Sequence, residues 1–511
     1  MKRFGVVAFF FILLVVTATA QTSPSLVATN LVPNGRVMSL QDCIQQALEH
    51  NLDVQIQRYN PEIALYNLRA SYGGFDPTLS LSATHSYTSQ EATTLANGLL
   101  TPSGTFKVDN FQSGLSGELP FTGLQYDFTG QIIQQHQLGF ATNDLPFTIP
   151  TSSGNLGMQL TQPLLKGLWI DSTRLAIQVD KNRLKYNEQG FRYQVITSVT
   201  AVENAYYELI YALENLKVQQ EALDLSQTQL DEDKTRLKYG SVAQLSVEQD
   251  QSQVAQNQAN VITAQSTLET DQNTLKNLIT DNYTSWHDTD IQPAETLTAP
   301  LVLFDLQDSW SRGMTERPDL LQYRLNVEQA GIQLKFDRNQ LFPELDVIGT
   351  YGWNGYGEFY NGSFAEINRG NLPYYSVGGQ FSMPLALQDA RNTFKMQKVT
   401  LQQVVLQLKQ FEQTVLVGID NAVKTAQSDY ESVDATRQAR IYAEAALSAE
   451  QTTYAVGKAT TFEVLTYQNN LTAARGQEIR ALANYEEALA NLYAAEGSTI
   501  DRLGIRIEAT P

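Results

Sequence analysis

Three observations predict an α+β membrane protein built by internal duplication. Seven-residue apolar periodicity runs through very long segments, period-two segments interrupt it, and blocks of the first half recur in the second. The heptads predict long antiparallel coiled-coil helices, and the alternating segments predict membrane-type strands. Composition narrows the class further: 42% of residues are apolar, 17% are charged, and 54 acidic against 35 basic residues leave a net charge of -19. That is not the makeup of a charge-rich disordered chain. An acidic chain also lacks the basic face that neutralises phosphates, so no nucleic-acid partner is expected. The single cysteine, Cys43, permits no intramolecular disulfide, and His50, His85, His136 and His287 are scattered. Neither a metal site nor any other cofactor is expected.

The chain opens with Lys2 and Arg3, an apolar run from Phe4 to Val16, and Ala18-Thr19-Ala20. This reads as an export signal over 1–20 with cleavage before Gln21. The run is too short to cross a hydrocarbon layer of ~30 Å. Removing Lys2 and Arg3 gives a mature charge of 33 - 54 = -21. Cys43 lies well past the cleavage point, so lipid attachment is not suggested. Nothing after residue 20 has the 18 or more consecutive apolar residues of a spanning helix, so any membrane crossing must be made by a closed β-barrel.

After a linker at 21–38 comes the first repeat, 39–280: a helix at 39–76, a strand region at 77–163 and a helical hairpin at 164–280. A linker at 281–302 leads to the second repeat, 303–497, with a helix at 303–342, strands at 343–384 and a hairpin at 385–497. A tail, 498–511, closes the chain. The duplication is read from fixed offsets. A shift of 266 pairs Leu40-Gln41-Asp42 with Leu306-Gln307-Asp308, Arg58 with Arg324 and Pro77 with Pro343, with 12 of 48 columns identical against roughly three by chance. Shifts of 221 and 217 pair Pro163 with Pro384 and Gly240 with Gly457. Pro77 to Pro163 is 45 residues longer than Pro343 to Pro384. In that extra segment, near 95–150, Leu124, Tyr126 and Phe128 alternate with polar residues, a pattern that fits either an added hairpin or a cap over the mouth.

In the first hairpin Val195, Val202, Leu209, Leu216, Leu223, Leu230 and Leu237 recur every seven residues. Val199, Tyr206 and Leu213 fill the alternate positions before Gln220, Gln227 and Lys234 take over. A helix over 172–239 would be ~100 Å long. After Gly240 a second seam follows at Val247, Val254, Val261, Leu268 and Leu275. The second repeat does the same around Gly457, with Leu482, Tyr485, Leu489 and Leu492 in its seam.

The strands are read from alternation. Leu79, Leu81, Ala83, His85 and Tyr87 alternate with Ser and Thr; Leu345, Val347, Gly349, Tyr351 and Trp353 form the matching segment of the second repeat. The return strands carry Leu156, Met158 and Leu160, and Val377, Gly379, Phe381 and Met383. Four segments of about ten residues suit tilted membrane strands. Leu79, Leu81, Leu345, Val347, Val377 and Phe381 are the expected lipid-facing residues, with Ser82 and Thr84 facing the lumen. Trp169, Trp353, Tyr374 and Tyr375 stand at segment ends, where interfacial aromatics belong. Four strands cannot close a barrel around a usable channel, so oligomerisation is required.

Taken together, Leu40-Gln41-Asp42 with Ala47-Leu48 and Asn51-Leu52-Asp53, Gln162-Pro163-Leu164-Leu165, and Tyr454-Ala455-Val456-Gly457-Lys458-Ala459 followed by Val464-Leu465 resemble the outer-membrane efflux protein family, the TolC-like exit ducts of Gram-negative bacteria. The resemblance spans nearly all of the mature chain. It implies a homotrimer in which four strands per chain make a twelve-strand outer-membrane β-barrel and the helices form a periplasmic tunnel. It also implies docking of a periplasmic membrane-fusion adaptor at the hairpin turns, Tyr239-Gly240-Ser241-Val242 and Val456-Gly457-Lys458-Ala459. The adaptor would link the duct to an inner-membrane pump of the resistance-nodulation-division or ABC type, for efflux or type I secretion. Members carry two acidic residues at the pore entrance; the first matches Glu463 and the second falls on Thr466. Tyr454 matches a tyrosine that latches the closed entrance in such members, while that latch's arginine and aspartate positions fall on Ala459 and Ser246.

The competing reading is an exported coiled-coil structural or surface protein whose β segments form a soluble head. An enzyme is not expected, since no nucleophile elbow, phosphate-binding glycine loop or metal spacing is present.

Overall fold

The computed structural model describes residues 35–94, 100–101, 103–140, 146–302 and 304–506. The export segment 1–20, the linker up to residue 34 and residues 507–511 lie outside the described residues. Strand β1 (Gly35–Met38) leads into α1 (Leu40–His50) and α2 (Leu52–Ser71). Then come β2 (Thr78–Gln90), β3 (Gly104–Glu118), β4 (Gln125–Phe140) and β5 (Pro146–Pro163). The first hairpin is α3 (Ser172–Lys238) and α4 (Gln244–Ile279). Strand β6 (Asp290–Pro293) follows, then α5 (Leu306–Glu316), α6 (Pro318–Asn339) and β7 (Glu344–Gly357). A short helix α7 (Tyr360–Arg369), strand β8 (Pro373–Ser382) and the hairpin of α8 (Gln388–Ala455) and α9 (Thr461–Glu496) complete the second repeat.

The repeated sequence blocks have local physical reasons. Ser39 accepts from the Asp42 amide while Asp42 accepts from the Ser39 amide, a capping box that starts α1; Asp305 caps α5 at the equivalent place. The opening helix of each repeat is broken in two, at Asn51, which caps α2, and at Pro318, the first residue of α6. The paired arginines then reach back across the break: Arg58 donates to the Leu48 carbonyl at 3.3 Å, and Arg324 to the Met314 carbonyl at 2.8 Å. They satisfy carbonyls that a helix end leaves unpaired.

The main core sits halfway along the molecule, where α3 is apolar on several sides. Val195, Val199, Val202, Tyr206 and Leu209 pack with Cys43, Ile44 and Ala47 of α1, and with Leu275 and Ile279 of α4. Met38 and Ile291, from the parallel pair β1–β6, close this core, which ties the inter-repeat linker to the start of the chain. A smaller core joins Val415, Ile419 and Val423 of α8 to Leu492 of α9. Toward the tips a second stripe beside the seam is buried: Gln227 and Lys234 are exposed, whereas Ser226 and Asp233, one residue earlier in each case, are buried and continue Ser198 and Ala212 at multiples of seven.

All four expected strands are present, as β2, β5, β7 and β8, but they are not the whole sheet. The extra segment supplies two more, β3 and β4, so that one antiparallel sheet of six runs β8-β7-β5-β4-β3-β2. The count of four per chain is therefore corrected to six; the added-hairpin reading of the extra segment holds, and the cap does not. Register carries the alternation across every strand. Leu79, Leu115, Phe128, Met158, Tyr351 and Tyr375 stand side by side on one face. Thr78, Ser116, Asp127, Gln159, Thr350 and Ser376 form the next row, on the other face. The expected lipid-facing residues all share the apolar face, and Leu81 and Val377 there are 75% and 79% exposed. Tyr375 stands on this face as well, while Tyr374 stands on the polar one.

Helix α7 lies on the apolar face near its upper edge. A side chain at Gly355 would come within 2.2 Å of the Ser363 carbonyl oxygen, and one at Gly154 within 2.9 Å of Ile367. These glycines give the helix its seat.

Candidate functional site: the helical tips

The far ends of the two hairpins are built alike. In the first, the Gly240 amide donates to the Leu237 carbonyl and the Ser241 amide to the Arg236 carbonyl, both at 2.9 Å. In the second, the Gly457 amide donates to Tyr454 at 2.9 Å and the Lys458 amide to Thr453 at 3.1 Å. This double pattern is the Schellman stop, which needs a left-handed residue just past the helix. Gly240 and Gly457 supply it, at φ +71° and +74°, and among the described residues no atom beyond the adjoining residues lies within 4 Å of where a side chain would stand at either. Both turns project freely. Tyr239 is 82% exposed and Val456 66%, and Leu245 and Phe462 flank them, also exposed. Each tip thus presents apolar side chains at its extremity. Val242 and Ala459 are half-buried, whereas Ser241 and Lys458 are exposed.

Just behind the tips, a buried polar cluster joins the two hairpins. The Tyr454 hydroxyl donates to the Asp233 carboxylate, 2.7 Å from one oxygen and 2.6 Å from the other. Thr461 donates to the same carboxylate at 3.1 Å. The Arg236 guanidinium lies 4.6 Å over the Tyr454 ring and 3.9 Å from Asp233. Asp250 of α4 is buried beside Asp233, close enough for the two carboxyls to share a proton. Burial, and then the neighbouring Asp233 carboxylate, push Asp250 up to about 7. Burial and the bond to Asp233 also hold the Tyr454 phenol above its ordinary range. Four helices meet here: α3 gives Asp233 and Arg236, α4 Asp250, α8 Tyr454 and α9 Thr461.

Tyr454 has partners other than the latch positions that fall on Ala459 and Ser246. Tyr454 does engage an aspartate, but that aspartate is Asp233 at the end of α3, not a residue at the position of Ser246. Asp233 stands on the second buried stripe of α3, in line with Ser226. Asp250, Asn257 and Ala264 of α4 are buried likewise, while the adjacent Gln251, Gln258 and Gln265 are exposed. The available signal was a pair of acidic residues, Asp233 and Asp250, each one position before a residue of the exposed stripe, Lys234 and Gln251.

Glu463 is exposed at the start of α9, and its carboxylate closes a capping box with Thr460, accepting from the Thr460 amide at 2.8 Å and hydroxyl at 2.9 Å. Those bonds hold its carboxyl below the usual range. Thr466, one turn on, is exposed, and its hydroxyl donates to the Phe462 carbonyl at 2.8 Å. Val464 and Leu465, between them, are buried. Glu463 and Thr466 therefore share the outward side of α9, away from the Tyr454 cluster.

The molecule has two ends of different chemistry: a strand end with one apolar and one polar face, and a helical end with exposed apolar turns. No described helix is long and apolar enough to cross a membrane. Residues 133–280 and 312–498 match the family described as "Outer membrane efflux protein". The chain is 23% identical over 376 residues to "Outer membrane protein TolC" of Salmonella enteritidis, which covers 72% of each protein. Its fold is similar to the Campylobacter jejuni CmeC outer membrane channel, with a TM-score of 0.65 at 15% identity over 90% of this chain and 85% of that one. It is similar also to the outer membrane protein VceC of Vibrio cholerae, with a TM-score of 0.64 at 17% identity over 90% and 96%.

Proposed function

The chain belongs to the outer membrane efflux protein family, and from that premise we propose that three copies form the exit duct of a tripartite efflux or type I secretion system. It is an outer-membrane channel protein with its helical part on the periplasmic side. In the proposed duct the apolar sheet face meets outer-membrane lipid, the polar face lines the lumen, and the helical tips receive a periplasmic membrane-fusion adaptor. An inner-membrane pump of the resistance-nodulation-division or ABC type delivers cargo, and the duct conducts it without cofactor or covalent chemistry.

The observation that carries this reading is the six-strand register, because a continuous apolar row backed by a continuous polar row separates lipid from an aqueous passage. A soluble coiled-coil surface protein has no use for side chains like Leu81 and Val377 left uncovered. More than one copy is needed because the described sheet ends in two unpaired edges, and the family likeness suggests three. Glu463, projecting outward from α9, is proposed as the acidic ring of the entrance.

The test has two arms. Light scattering with detergent correction should return three chains per particle, and a photocrosslinking residue at Val456 or Tyr239 should capture a periplasmic adaptor in cells. A monomer sinks the barrel reading. Crosslinks confined to other outer-membrane proteins sink the docking reading.

A further inference from the structure

We infer that the duct's outer-membrane barrel closes with eighteen strands, six from each copy, with β3 and β4 serving as full members of its wall. The inference rests on the three-copy reading above and adds to it the architecture of the pore.

Three features place β3 and β4 in the wall. Their apolar side chains continue the membrane face without a break: Leu115, Phe111, Tyr126, Phe128 and Ile132 stand in register with Leu79, Ala83, Leu160, Met158 and Gly154 of the strands that flank them. The polar rows continue as well, with Ser82, Gln112, Gln131, Asn155 and Asn354 side by side. A hairpin folded into the lumen or above the mouth would have no reason to keep either row. The hairpin also spans the full height of the sheet. Its turn sits at the helical end, where Gln162 donates to the Thr122 carbonyl at 2.9 Å, and a side chain at Gly123 would come within 2.7 Å of Arg174 in α3. At the opposite end the apolar face stops at a polar row, His85, Asp109 and Gln134. Between Leu345 and Gly355, the upper part of which α7 covers, that face rises by about 25 Å at ordinary rise and tilt, the height of an outer-membrane apolar band.

The third feature is the edges. β2 and β8 bound the sheet, run in opposite directions, and carry no Lys, Arg, Asp or Glu. Soluble sheets protect their edges with such charges. Because the directions alternate through all six strands, β2 of one copy meets β8 of the next in antiparallel sense, and the ring closes with no mismatch. At a strand spacing of about 4.8 Å and a tilt of about 40°, eighteen strands make a ring about 36 Å across, against about 24 Å for twelve, or ~2.2-fold in cross-section. The added hairpin brings no added long helix, so it widens the membrane part of the duct and not the helical part.

Electron cryo-microscopy of the full chain in lipid nanodiscs tests this directly, with eighteen strands around a threefold axis expected. A trimer with twelve strands and 104–140 outside the ring overturns the inference and leaves the three-copy reading standing; absence of a trimer overturns both. A second measurement needs no map. With Cys43 replaced, a fluorophore on Phe128→Cys or Leu115→Cys should be quenched at least ~2-fold more by brominated acyl chains than one on Asp127→Cys or Ser116→Cys. Aqueous iodide should reverse that order. Equal quenching at the four positions would also overturn the wall assignment.

Discussion

Removing one oxygen atom, in Tyr454→Phe, should loosen the helical tips while leaving the rest of the molecule untouched. The Tyr454 hydroxyl is a donor to Asp233, a carboxylate with no solvent access. Hydrogen bonds to buried charges contribute about 1.5–3 kcal/mol, and Asp233 keeps Thr461 and Arg236 as partners, so a loss of about 2 kcal/mol is expected. That corresponds to a ~30-fold larger opening equilibrium. Hydrogen exchange reads it at the site: amides from 458 to 466 should lose ~30-fold in protection, while those around Val415 to Val423, in a separate core, should not change. Equal protection in both proteins would show that Tyr454 does not hold the hairpins together. Uniform loss along α8 would show a general defect.

The same cluster should respond to acid, with a sign set by Asp250. Its folded value of about 7 lies above the ordinary carboxylate range, so the stability it contributes is fully present below about pH 4 and is lost as pH rises through 7. Tip protection should accordingly increase on going from pH 8 to pH 5.5, and Asp250→Asn should flatten the profile; a wild-type profile that falls on acidification would reverse the assignment. Gly240→Val together with Gly457→Val should cost about 1–2 kcal/mol per turn through backbone strain alone, as nothing crowds either position; export in cells should fall while trimer yield holds, and undiminished export would remove the docking role. Glu463→Gln keeps a side chain that can still close the capping box, so it isolates charge: block by multivalent cations in a planar bilayer should weaken, and an unchanged block would leave Glu463 a helix cap only. Cys43, buried with its thiol pushed up to about 12, should resist maleimide at pH 8 until the protein is denatured; labelling of the native protein would mean that α1 does not stay packed on α3.

The long elements were legible because their patterns repeat many times over. Heptads across α3, α4 and α9, and the offset of 266 with its proline punctuation, left little freedom for the helices, and the alternation at Leu79 to Tyr87 declared a sheet face. The two added strands were harder to read: Ser113, Gly114, Gly117 and Gly130 dilute the apolar alternation of β3 and β4, and such positions show their face only once neighbours across the sheet are known. At the tips the turns were plain from glycine. The partners of Tyr454 were not, because a single heptad seam assigns the inward positions to Gln227 and Lys234, whereas α3 packs on more than one neighbour and also buries the adjacent stripe of Ser226 and Asp233. Glu463 had a second, local role spelled in Thr460-Thr461-Phe462-Glu463, where a capping residue precedes a glutamate by three.

The charge-free edges β2 and β8 also bear on how the protein comes into being. A single copy newly arrived in the periplasm carries two open ladders of backbone donors and acceptors, and among the described residues neither charged edge side chains nor a further strand keeps foreign strands away from them. Its safe lifetime is set by how soon it meets two siblings or a protein that shields those edges in transit. The yield of assembled channel should therefore peak at moderate expression. Beyond it the surplus goes to strand-paired aggregates, because a dispersed monomer pool would leave every edge unsatisfied.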